Sequence, residues 1–119
     1  MSVSLLTNTS VTPTVTINAQ TGTTYTPVLA DGNNTLVTLS NASAITLTIP
    51  PNSSVAYAVG TVLNFAQIGA GQVSFAQGSG VTITSTGATA SAPKLRVQYS
   101  SAVAVQTSAN NWLVIGDVA

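Results

Sequence analysis

Hydrophobic and polar residues alternate with a period of two along most of the chain. Thr14-Val15-Thr16-Ile17 alternates cleanly, and Ala44-Ile45-Thr46-Leu47-Thr48-Ile49 puts Ile45, Leu47 and Ile49 on one face against Thr46 and Thr48 on the other. The same spacing pairs Leu63 with Phe65, Val73 with Phe75, Val81 with Ile83, and Val103 with Val105. Leu95, Val97 and Tyr99 point one way and Lys94, Arg96 and Gln98 the other. Trp112-Leu113-Val114-Ile115 is apolar throughout and reads as a strand buried on both faces. Side chains of a strand alternate between its faces, and β-branched residues suit a pleated surface, so each run predicts a strand.

Turn-forming clusters fall between the runs: Asp31-Gly32-Asn33-Asn34, Asn41-Ala42-Ser43, Pro50-Pro51-Asn52-Ser53, Gly69-Ala70-Gly71-Gln72, Gln77-Gly78-Ser79-Gly80 and Ser108-Ala109-Asn110-Asn111. Each supplies residues that tolerate positive φ or bond their own backbone. The spacing predicts about nine or ten short strands and an all-β sandwich, barrel or jelly roll, since no segment carries a 3.6-residue stripe. Residues 1–13 alternate weakly and end at Pro13; they read as a first strand, an arm onto a neighbour or a frayed end. Gly87-Ala88-Thr89-Ala90-Ser91-Ala92-Pro93 reads as an exposed loop.

Composition sharpens this. Only Asp31, Lys94, Arg96 and Asp117 are charged among 119 residues, whereas Ser and Thr together number 33. About a quarter of an ordinary domain is charged, so 3 % is far outside the usual range. With a net charge of zero there is no basic patch for nucleic acid or anionic lipid. There is no His and no Cys, hence no disulfide frame, thiolate or imidazole. The longest apolar runs are far too short for a membrane helix, and the few aromatic residues do not make the girdles of an outer-membrane barrel. The opening residues lack the basic and apolar regions of a secretory signal. The mean hydropathy of +0.43 argues against disorder.

Candidate chemistry is sparse. Asp31 and Asp117 are the only carboxylate side chains; the first sits in an Asp-Gly turn and the second reads as an ion-pair partner for Arg96. A glycosidase needs two carboxylates close together. Lys94 and Arg96 share one strand face, and a Ser nucleophile has no His base to activate it. With so few charges, each is expected to have an assigned partner. The glycine segments 69–71 and 78–80 lack the strand-loop-helix setting of a nucleotide loop. Four Asn-x-Ser/Thr triplets, at Asn8, Asn33, Asn41 and Asn52, are expected by chance in so Ser/Thr-rich a chain. No catalytic, cofactor-binding or metal-binding residue emerges, and the chain reads as a non-enzyme.

The surface is more informative. Natural sheets guard their edges with charge, proline and bulges, and this chain has almost no charge to spend there. Its strand margins and apolar faces are expected to be completed by other chains.

The ordered series Leu36–Pro50, Val59-Gly60-Thr61, Gln67–Val73, Gly78–Ile83, Lys94–Ser100 and Asn111–Asp117 resembles a β-module of tailed-bacteriophage virion proteins, found in small capsid decoration (cement) proteins and at the C-terminal ends of tail fibres. The resemblance spans roughly residues 21–118. It implies an antiparallel β-sandwich or jelly-roll-like domain over 21–119, preceded by an arm or first strand over 1–20, and a homotrimer. It further implies a structural virion protein made in the host cytoplasm. Its partners would be copies of itself and the major capsid protein, with neither nucleic acid nor membrane. Lys94, Arg96, Trp112 and Asp117 match recurring positions and are expected to be fold or trimer determinants. About 20 residues before the module leave no room for a fibre shaft, which favours a decoration protein on the outer capsid surface. The alternative is a tail-fibre receptor-binding tip, with Tyr25, Tyr57 or Trp112 contacting a host-surface glycan.

Overall fold

In a computed structural model, which describes residues 14–86 and 89–119, the strands form two sheets. In chain order they are β1 (Thr16–Gln20), β2 (Thr24–Tyr25), β3 (Thr35–Leu39), β4 (Ile45–Ile49), β5 (Val62–Gln67), β6 (Val73–Gln77), β7 (Thr82–Thr84), β8 (Ser101–Ser108) and β9 (Asn111–Gly116). A single 3-10 turn, Leu29–Gly32, precedes β3. The large sheet has the order β1-β3-β5-β8-β9-β7 and the small sheet β2-β4-β6.

The chain therefore coils. It lays one strand in the large sheet, crosses to the small sheet, and returns beside its previous turn. Thr16 sits opposite Thr35 and Leu36 opposite Asn64 in the large sheet; Thr24 opposite Thr46 and Ile45 opposite Val73 in the small one. All four of those pairings are parallel, as is β7 with β9. Among the described strands only β5–β8 and β8–β9 are antiparallel. The expected antiparallel domain is thus corrected to mixed sheets in an all-β fold. Alternation reports which face a residue occupies, not the direction of the neighbouring strand. A parallel pair needs a long crossover, usually a helix; here a strand of the opposite sheet serves instead.

The buried faces of both sheets supply one core. Val37, Leu39, Leu63 and Phe65 meet Ile45, Leu47, Ile49, Val73 and Phe75, with Ile83, Trp112 and Val114 beyond them. Phe65 and Phe75 pack edge to face, with ring centroids 5.6 Å apart. Along the coil the interior changes from apolar to polar. Phe65 is in register with Val37 and then Asn18, and Phe75 with Leu47 and then Tyr25. At the first described turn the interior layer is thus polar, with Asn18 Nδ2 donating to Tyr25 Oη at 2.9 Å.

Close stacking of successive turns explains Gly71. A Cβ there would lie 1.8 Å from the Ser43 carbonyl oxygen, while Gly71 N donates to Asn41 O at 2.8 Å. Gly116, with φ +148°, ends β9 against Ala102, whose Cα would stand 2.6 Å from an added Cβ.

Residues 94–99 do not form the expected strand. Lys94 and Leu95 make single bridges to Ser74 and Val118, and the chain then turns, with Ser100 N donating to Val97 O and Tyr99 at φ +71°. The possible arm over residues 1–13 lies outside the described residues, while Thr16–Gln20 belongs to the large sheet.

Candidate interaction surface

Strand register builds the outer face of the large sheet. Ile17, Leu36, Asn64, Val103 and Ile115 are successive partners across β1, β3, β5, β8 and β9. A second row carries Val62, Val105, Leu113 and Thr84. Ile17 is 56 % exposed, Ile115 52 %, Val62 40 % and Leu113 36 %. None of the four charged residues lies on either row. Leu36, Asn64, Val103 and Ile115 also line a shallow concavity of about 260 Å³.

This corrects one expectation. Trp112–Ile115 is not buried on both faces: Trp112 and Val114 enter the core, and Leu113 and Ile115 face outward. In β8 the core positions are Ala102 and Ala104, so Val103 and Val105 lie on the outer face. Small side chains suffice inside because Ala104 stands opposite Leu63 and Val114, and Ala102 opposite Phe65.

The charged residues occupy two separate networks. Asp31 is 2 % exposed in the 3-10 turn. Its carboxylate accepts from Tyr25 Oη at 2.5 Å, Asn18 Nδ2 at 2.9 Å and Val28 N at 3.0 Å. A buried carboxylate needs such donors, and here uncharged groups supply them all. Burial, reinforced by the Asp31 carboxylate, pushes the Tyr25 hydroxyl up to about 12. Tyr57, which donates to Val28 O at 2.6 Å, is also raised, first by burial and then by the charge of Asp31. The cluster closes the polar end of the coil.

Asp117 fastens the other end of the chain. Arg96 holds it through Nε at 2.7 Å and Nη2 at 3.0 Å, and Ser100 Oγ donates at 2.7 Å. The Arg96 and Ser100 hydrogen bonds hold the Asp117 carboxyl below the usual carboxylate range, and the hydrogen bond to Asp117 raises Arg96. The Arg96–Asp117 pairing expected from sequence is present. Asp31 and Asp117 share no hydrogen-bond partner among the described residues. Contrary to the expectation of a partner for every charge, the exposed Lys94 side chain makes no ion pair or hydrogen bond among the described residues. No group of three or more metal-ligating side chains occurs among the described residues.

The aromatic candidates are redistributed too. Trp112 (1 % exposed) and Tyr57 (5 %) are core residues, edge to face with ring centroids 5.5 Å apart. They cannot stack on a glycan; Tyr25 is half-buried and committed to Asp31. The exposed ring is Tyr99, whose left-handed backbone is held by its N–H donating to Gln67 O at 2.6 Å. The alternation groups Tyr99 with Leu95 and Val97, but the turn that presents it breaks that strand pattern.

No family model and no curated protein matches this sequence.

Proposed function

We propose that this chain is a structural protein that works by lying against other polypeptides, and specifically a capsid decoration protein. It binds the outer head surface of a tailed bacteriophage as a homotrimer, bridges major capsid proteins and stabilises the shell. The observation that carries the assembly reading is the outer face of the large sheet, where Ile17, Leu36, Asn64, Val103 and Ile115 form one uncharged row across five strands. The virion setting, the trimer and the capsid partner rest on the sequence resemblance to phage β-modules.

Magnitudes favour repeated contacts over a single one. Covering a half-exposed Ile or Val is worth about 1 kcal/mol, while association costs about 4 kcal/mol or more. One such face holds a partner weakly; a closed ring of subunits seated on a lattice adds the contacts together. Ion pairs contribute little, so binding under this reading is nearly indifferent to salt. The tail-fibre reading loses support from the burial of Trp112 and Tyr57.

Imaging purified particles that carry a C-terminally labelled chain tests the proposal. Label in three-fold clusters on the head surface is the expected result. Label confined to the tail tip, or missing from particles, overturns it.

A further inference from the structure

Four strands end the two sheets: β1 and β7 in the large one, β2 and β6 in the small one. Three of these edges are closed or too short to pair. Along β6, Phe75 N donates to Pro93 O at 2.8 Å and Leu95 N to Val73 O at 2.9 Å. On β7, the outward Ile83 N–H is taken by Gln77 Oε1 at 2.8 Å. β2 has only two residues. These are the familiar ways of protecting an edge, achieved with amides and backbone in place of charge.

β1 is treated differently. Thr16 N donates to Asn34 O and Ser40 N donates to Gln20 O, which fixes the phase of the β1–β3 ladder. In a parallel ladder, the N–H and C=O of one residue point to the same side. Thr16, Asn18 and Gln20 therefore face β3, and Ile17 and Ala19 turn their backbone groups to the free edge. Among the described residues nothing bonds to them there. The flanking side chains from Thr14 to Gln20 carry no charge, and Val15 and Ile17 are more than half exposed.

We propose that β1 of one copy pairs antiparallel with β1 of a second copy, across a two-fold axis through Asn18. In this register Ile17 stands opposite the second copy's Ala19, and both have their N–H and C=O aimed at each other. Antiparallel hydrogen-bonded pairs need this phase, and the two-fold axis supplies it twice. Asn18 meets the second copy's Asn18 with no like charges opposed. The two large sheets become one, and each copy's Ile17 lies beside the other's Ala19 on the outer face. The occupant is a second copy because β1 is the one edge of the described residues that is both long enough and open, and isologous pairing requires nothing else. This contact is additional to the trimer and links one ring to the next.

Sedimentation velocity of the full chain and two variants tests this. Ala19→Pro removes an outward N–H without touching the β1–β3 ladder, where edge proline is tolerated. Ala19→Lys places a charge on the free margin but outside both apolar rows, and carries the test should the proline variant fail to fold. The expected result is an even-numbered assembly of the wild type that either folded variant halves in mass. A wild type with no even-numbered assembly, or folded variants that keep it, overturns the pairing. The halved species reports separately on the function reading: a trimer where that reading holds, a single chain where it fails.

Discussion

Ile17 and Ile115 stand at the two ends of one register row that crosses five strands of the large sheet, and both are more than half exposed. Three of the row's five members are Ile or Leu at positions where a monomeric sheet ordinarily shows Thr, Lys or Glu to water. The uncharged face and the open β1 edge meet at Ile17, so the region least covered by the described residues is continuous.

Gly71 should be intolerant of any side chain. Gly71→Ala forces a Cβ into the Ser43 carbonyl and separates two turns of the coil. A loss of about 1–3 kcal/mol in denaturant-induced unfolding is expected, comparable to overpacking a core. An unchanged midpoint would mean that the 41–43 and 69–71 turns are not in contact.

Trp112 presents a different trade. Its ring fills the core beside Tyr57, yet its Nε1 finds no acceptor among the described residues. Trp112→Ala should cost about 3–5 kcal/mol through the cavity it leaves. Trp112→Phe also loses volume but relieves an unpaired buried donor, which offsets about 1–3 kcal/mol. Chemical denaturation of the two variants should therefore rank Phe well above Ala; equal losses would show the indole N–H to be satisfied.

Alkaline pH should open the polar end of the coil. The Tyr25 hydroxyl stays protonated in the fold to about 12 against an ordinary 10.0. Its contribution is whole below the unfolded value and drains away as pH rises through the folded one. Melting temperature should fall over that window, and Tyr25→Phe should make the fall shallower, with Tyr57 still acting in the same direction. A wild-type and variant pair with parallel pH profiles would remove Tyr25 from the account.

Much of this was legible from alternation. The core faces of β4, β5 and β6 follow from Ile45, Leu47, Ile49, Leu63, Phe65, Val73 and Phe75, all of which are buried. The Arg96–Asp117 pair followed from having so few charges to match. Strand direction did not, because Thr16 opposite Thr35 and Val62 opposite Val105 are parallel and antiparallel pairs with the same side-chain period. Nor did the outer face: apolar residues on both sides of β9 suggest burial on both sides, and only the sheet order shows that nothing among the described residues covers Leu113 and Ile115. Asp31 looked like a surface turn residue because its partners Asn18 and Tyr25 arrive from an earlier turn of the coil.

The most direct test of assembly through the outer face is sedimentation equilibrium of the full chain beside Ile115→Lys, with circular dichroism confirming that both are folded. The expected wild-type mass is three times 11.9 kDa or a multiple of that, and the lysine on the apolar row should shift the equilibrium strongly toward smaller species. A wild type that sediments as a single 11.9 kDa chain at every concentration, or a folded variant that assembles as the wild type does, would contradict it.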